Sequence, residues 1–188
     1  MKSIFATLCV ILLITGCIHS QDPLINYLFE LEVLLDSLEL EADQIHIEID
    51  KSEFILSVVA DTLVIKQYPI VLGGNYRDDK LRQGDRCTPE GRFRVITKYP
   101  HRSWDKFIWI DYPNEDSWRK HRQAKLDGSI EESAGIGGEI GIHGVPNGAD
   151  ELIDLGVNWT LGCISLKNKD IDDFYPFIHK GTLVVIEK

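Results

Sequence analysis

The chain has 188 residues, 44% hydrophobic and 27% charged, with a formal net charge of −10. That length suffices for one domain with a sizeable core and a short appendage. The acidity argues against a general nucleic-acid binder and against a protein held to anionic membranes by charge.

The chain opens MKSIFATLCVILLITGC, with Lys2, an apolar run from Ile4 to Ile14, then small residues. This is a signal-peptide layout whose apolar run is too short for a spanning helix. Its ending, Ile14-Thr15-Gly16-Cys17, resembles a bacterial lipobox, in which cleavage precedes the cysteine and the cysteine is acylated. The resemblance implies a signal peptide over residues 1–16, a lipid anchor on Cys17 and a periplasmic domain. Ile18 rather than Asp follows the cysteine, which by resemblance to sorting rules favours the outer membrane. Cys9 leaves with such a signal, so Cys87 and Cys163 are the two thiols left, in a compartment that permits them to pair.

Residues 22–43 read as an amphipathic helix. Leu24, Leu28, Leu31, Leu35 and Leu38 recur at spacings of three or four, opposite Glu32, Asp36, Glu39 and Asp43. With no basic residue on its polar face, it is expected to pack on its own domain or act as a spacer, a partner-binding helix being the alternative. The pattern then switches to period two. IHIEID alternates Ile45, Ile47 and Ile49, and FILSVVADTLVIKQYPIVLGG reads as two strands around an Asp-Thr turn. TPEGRFRVITKY is a strand entered from a Pro-Gly turn, and KFIWIDY is another. EDSWRKHRQAKL is a short helix stopped at Asp127-Gly128, and GEIGIHG a short strand closing on Gly144. NKDIDDFYPFIHKG reads as a helix capped by Asn168 and stopped by Gly181, with Pro176 bending or shortening it. TLVVIE is the last strand. The expectation is one mostly-β domain over 45–188, preceded by a lipidated, helical segment over 17–44.

The chemistry concentrates in two short blocks. No CxxC, HExxH or phosphate-binding glycine loop is present. A metal site needs three or four convergent ligands, and beyond His143 and Cys163 no third has clear spacing. On spacing alone Cys163 stays open between a buried thiol, a disulfide partner of Cys87 and a nucleophile. As a nucleophile it needs a base, since a free thiol ionises only near pH 8.5. His143, twenty residues earlier, could serve if folding brings the two together. Gly162 lets the chain turn sharply, and the N–H groups of Gly162 and Cys163 could face an oxyanion. The carbonyl of Gly144 could accept from the imidazole Nδ1 and fix its tautomer, as a carboxylate does in a triad.

IGIHGVPN followed by NWTLGCISL resembles the L,D-transpeptidase catalytic domain, also called the YkuD-type domain. That family carries a His-Gly pair and, some twenty residues on, an [S/T]-x-G-C-[I/V] block. Here these are His143-Gly144 and Thr160-Leu161-Gly162-Cys163-Ile164. GDRCTPEGRF, Gly84 to Phe93, matches a second block upstream. The resemblance covers residues 45–188. It implies a mainly β, β-sandwich-like, mostly antiparallel fold with a few short helices. It implies Cys163 as nucleophile, His143 as base, Gly144 as its orienting carbonyl, and Gly162 with Cys163 as oxyanion donors. Trp159, Thr160 and Ser165, which flank the cysteine, are expected to bind substrate, with Thr160 also bracing the loop. The substrate class implied is the stem peptide of peptidoglycan, with no metal or organic cofactor. The activity implied is transfer of a stem peptide from a Cys thioester to an amine; hydrolysis by an L,D-carboxypeptidase or endopeptidase using the same pair is the alternative. Two departures bear on that choice: Leu161 and Ser165 stand where many members have a polar residue and an arginine, and a subgroup with DWT-x-GCI includes enzymes that cut. A scaffold lipoprotein that binds peptidoglycan without turnover is the third reading. The sequence fixes no oligomeric state.

Overall fold

The computed structural model describes residues 24–188. The signal peptide over 1–16 and the acylated Cys17 lie outside the described residues. Period-two patterning becomes eight strands: β1 (Ile45–Asp50), β2 (Ile55–Ala60), β3 (Leu63–Pro69), β4 (Gly91–His101), β5 (Asp105–Ile110), β6 (Gly141–His143), β7 (Ile164–Ser165) and β8 (Leu183–Glu187). They form one sheet in the order β3-β2-β1-β8-β4-β5-β6-β7. Most pairs are antiparallel, but β1 runs parallel to β8 and β6 parallel to β7. The expectation of a mainly β domain with a few short helices is met. The architecture is a single mixed sheet whose two ends meet. Val71, just beyond β3, exchanges backbone hydrogen bonds of 2.8 and 2.9 Å with Ser165 of β7, and Gly73 bridges to Thr160.

Alternation puts Ile45, Ile47 and Ile49 of β1 inside and Glu48 and Asp50 outside. The same rule buries Phe93 and Val95 of β4, and Val184 and Ile186 of β8. With Leu56, Val58, Ile108, Ile110, Ile142 and Ile164 they make one continuous core. Each such side chain contributes about 1.5–3 kcal/mol on burial.

The described residues hold four α-helices, α1 (Leu31–Ser37), α2 (Glu115–Leu126), α3 (Glu151–Asp154) and α4 (Asn168–Phe174), of which α1 packs on β3 and α4 on β5. The expected helix over 22–43 is only α1. Asn26 and Glu39 both take a left-handed φ of 54°, which breaks the pattern on either side. Leu31 and Leu35 enter the core, whereas Leu28 is 92% and Leu38 44% exposed. The stretch before α1 is tied to β3 and α4 instead. Ile25 and Gln67 exchange hydrogen bonds of 3.1 and 3.0 Å, and Tyr27 Oη donates to Asp170 Oδ2 at 3.0 Å. Asp173 accepts from Leu31 N–H at 2.9 Å, Lys66 Nζ at 2.5 Å and Tyr68 Oη at 2.6 Å. α1 therefore packs on its own domain.

A second correction concerns α4. Its N-cap position is Lys167, and Asn168 makes no capping bond; its Oδ1 accepts from Val145 N–H at 2.9 Å. Pro176 ends the regular helix in a single 3₁₀ turn, Tyr175–Phe177, because it cannot donate to the turn before it.

Candidate active site

β6 lies between β5 and β7, with His143 opposite Phe107 on one side and Ser165 on the other. Cys163 immediately precedes β7, so continuing the register sets it beside Gly141, diagonal to His143 and on the same face. Twenty residues of intervening chain, including α3, are thus closed into one short parallel pair.

The imidazole is buried, 1% exposed, within an aromatic wall. Trp104 stacks on it at 4.5 Å between ring centres, Phe107 lies nearly parallel at 5.7 Å, and Trp159 meets it edge-on at 5.5 Å. Nδ1 lies 2.7 Å from the Gly144 carbonyl. A carbonyl only accepts, so Nδ1 carries the proton and Nε2 holds the free lone pair. Burial pushes the His143 pKa down to about 4, opposed by the Gly144 carbonyl. At neutral pH the ring is an uncharged base.

Cys163 is partly exposed, and its thiol donates to the Glu139 carbonyl at 3.4 Å. Burial of the sulfur pushes its pKa up to about 11, opposed chiefly by the Gly141 N–H. Thiol and imidazole make no hydrogen bond to each other. The resting pair is therefore neutral thiol and neutral imidazole, and a proton must move when the sulfur attacks. Cys87 is also a free thiol, buried, with its pKa pushed up to about 11 chiefly by burial. It is not paired with Cys163, and the nucleophile candidate is unblocked.

The loop before Cys163 is held from within. Thr160 Oγ1 donates to the Cys163 carbonyl at 2.6 Å and accepts from Gly162 N–H at 3.1 Å. Gly162 has φ 142°, and a Cβ there would sit 2.7 Å from the Cys87 carbonyl, so only glycine fits. This geometry revises three expectations. The Gly162 N–H is engaged by Thr160, so of the two only that of Cys163 could meet an oxyanion. Thr160 is buried, and its hydroxyl is used on its own loop rather than on substrate. Ser165 is fully buried, and its Oγ donates to the Gly144 carbonyl at 3.2 Å, so it faces the histidine's support rather than a substrate. Trp159 remains partly exposed beside His143, and its Nε1 is buried without a partner. Among the described residues no three His, Cys, Asp or Glu side chains are grouped to hold a metal.

No local pattern in the sequence marks the aromatic wall. Trp104 and Phe107 lie near 40 residues before His143, and only the β5–β6 register brings them to it.

The profile of the YkuD family, described as the L,D-transpeptidase catalytic domain, matches residues 44–186. The chain belongs to this family. Among solved structures, the helical cell shape determining protein Pgp2 of Campylobacter jejuni aligns with a TM-score of 0.57 at 23% identity, over 85% of this chain and 55% of that one. Bd1075 of Bdellovibrio bacteriovorus aligns with a TM-score of 0.52 at 21% identity, over 77% and 48%. An L,D-transpeptidase from Mycobacterium smegmatis aligns with a TM-score of 0.51 at 14% identity, over 77% and 59%. These likenesses establish the YkuD-type fold. The chain spans about half to three-fifths of the length of those proteins. No curated protein matches the chain.

Proposed function

We propose that this YkuD domain is a peptidoglycan L,D-transpeptidase. The observation that carries the reading is the Nδ1 contact to the Gly144 carbonyl at 2.7 Å, which leaves Nε2 of a neutral His143 as base on the face that bears Cys163. The substrate is a stem peptide with an L-centred carbonyl followed by D-alanine. Cys163 sulfur attacks that carbonyl as its proton passes to His143 Nε2. The oxyanion is met by the Cys163 N–H. The C–N bond to D-alanine breaks, and the imidazolium returns its proton to the leaving amine. The stem peptide is then a thioester on Cys163. An acceptor amine opens it, passing its proton through His143 and restoring the thiol, with a new amide as product.

Hydrolysis of the same thioester is the second reading. One observation favours it: Ser165 is buried where many members carry an arginine, so this position offers no cation to a substrate. Incubation of the purified protein with defined tetrapeptide muropeptides, with and without an amine acceptor, separates the readings by mass spectrometry. Transpeptidation yields a dimer; hydrolysis yields only tripeptide stems. The domain is further proposed to be held at the periplasmic face of the outer membrane by acyl chains on Cys17. Loss of membrane association in C17A tests this.

A further inference from the structure

The carbonyl that orients His143 belongs to the peptide group joining Gly144 to Val145. Both ends of that group are gripped by one short segment, the run from β7 into α4. Ser165 Oγ donates to the Gly144 carbonyl at 3.2 Å. Asn168 Oδ1 accepts from the Val145 N–H at 2.9 Å. Between them, Leu166 N–H donates to the His143 carbonyl at 3.1 Å. The preceding peptide is fixed too, since Gly144 N–H donates to the Trp104 carbonyl at 3.1 Å. The fit is tight: a Cβ on Gly144 would lie 2.2 Å from Asn168 Oδ1.

Helix capping and packing do not account for these two side chains. Asn168 spends its acceptor on Val145 although it stands at the first turn of α4, and its own N–H goes to Asp150 Oδ1 at 3.3 Å. Ser165 is 0% exposed, yet its hydroxyl is turned onto a carbonyl already serving an imidazole. Glycine leaves the bond on its side of this peptide freer to rotate than any other residue would. A neutral imidazole can carry its proton on either nitrogen, and the acceptor at Nδ1 decides which.

We infer that Ser165 and Asn168 are positioning residues, a two-point clamp on the Gly144–Val145 peptide that holds its carbonyl on His143 Nδ1 and so keeps Nε2 free. The inference rests on the reading of His143 as the base of Cys163. The clamp does for a backbone carbonyl what covalent structure does for the carboxylate of a Ser-His-Asp triad.

The test uses the full chain, labelled with ¹⁵N at histidine, in which NMR reads the tautomer of His143 directly. The wild type carries its proton on Nδ1. S165A and N168A each populate the Nε2–H form and lose kcat by about tenfold, as expected for one hydrogen bond, with KM unchanged. The double variant loses less than the product of the singles, because both hold one peptide. N168D keeps the acceptor for Val145 and restores both tautomer and kcat. A wholly Nδ1-protonated His143 in folded N168A, or an N168D variant that matches N168A, overturns the clamp. Should S165A fail to fold, the N168A and N168D pair still decides. Because the tautomer is read without turnover, failure of the catalytic reading, in which H143A keeps full activity, is distinguishable from failure of the clamp.

Discussion

Burial sets the chemistry of both groups of the proposed pair, and in opposite directions. It lowers the His143 pKa to about 4 and raises that of Cys163 to about 11. A preformed thiolate–imidazolium pair needs the reverse, so the reaction proposed above runs by general-base catalysis, in which the proton moves during attack. Two outcomes follow. The acid limb of the kcat/KM profile has its midpoint near 4, not near 6.5, since His143 must be uncharged to accept a proton. Alkylation of Cys163 by iodoacetamide in the resting protein is slow at pH 7 and rises only well above pH 9; fast alkylation with a plateau near pH 6 contradicts the neutral pair. Removing the base, as in H143A, lowers kcat by about 100- to 10,000-fold, read as the rate of D-alanine release. The proposed pair comes from the resemblance of His143-Gly144 and Thr160-x-Gly162-Cys163 to the family blocks, since spacing alone leaves Cys163 open. The bracing by Thr160 and the turn at Gly162 are as expected, but the substrate-binding roles of Thr160 and Ser165 and the Gly162 oxyanion role are not, because a hydroxyl or an N–H says nothing in sequence about whether it faces inward. Only the folded loop shows Thr160 taking the Gly162 N–H.

Among the elements, the strands were the most readable part. Alternation in IHIEID maps onto the buried and exposed faces of β1, and the apolar run of TLVVIE becomes β8, buried on both faces from Val184 to Ile186. The leucine pattern of the N-terminal segment runs longer than the helix it forms. Its leucine spacing is genuine, but Ile25, Asn26 and Tyr27 find partners some 40 to 140 residues away, on β3 and α4. Such contacts leave no local signal and override helical preference. Asp173 is the centre of this docking, accepting from α1, Lys66 and Tyr68 at once. D173A leaves the buried Lys66 ammonium with the Phe29 carbonyl but no counter-ion, and two donors unpartnered, and should cost about 3–5 kcal/mol in urea unfolding. A control at Asp116, whose pair with Arg119 is fully at the surface, should change stability by less than about 1 kcal/mol.

For the molecule as a whole, the closure of the sheet explains why the site is where it is. Val71 and Gly73 stitch the β3 end to β7 and Thr160, so the Cys163 loop sits on the seam rather than at a free edge. Two of the buried groups through which pH acts on stability, His143 and Asp170, act with opposite sign. An unfolded chain protonates His143 near 6.5 while the folded one waits until about 4, so the unfolded state binds more protons in between and this contribution is lost as pH falls from 6.5 towards 4. Asp170 runs the other way. Burial raises its folded pKa from 3.8 to about 6, so its contribution is complete below 3.8 and is lost as pH rises through about 6. Asn168 to Phe174 thus carries a carboxyl that weakens α4 docking at neutral pH. Relative to wild type, D170N should be more favourable at pH 7.5 than at pH 4.5, measured by urea unfolding at both; equal differences at the two values contradict the assignment. The long-range seam and these buried charges were invisible beforehand because they depend on register between distant strands, which no single stretch encodes.

The most direct test of the account is intact-protein mass spectrometry with peptide mapping after incubation with a tetrapeptide stem. The prediction is a thioester adduct on Cys163, equal to the stem peptide less its terminal D-alanine, absent in C163A, which releases no D-alanine. Release of D-alanine by C163A at the wild-type rate, or an adduct mapped to any other residue, contradicts the central claim.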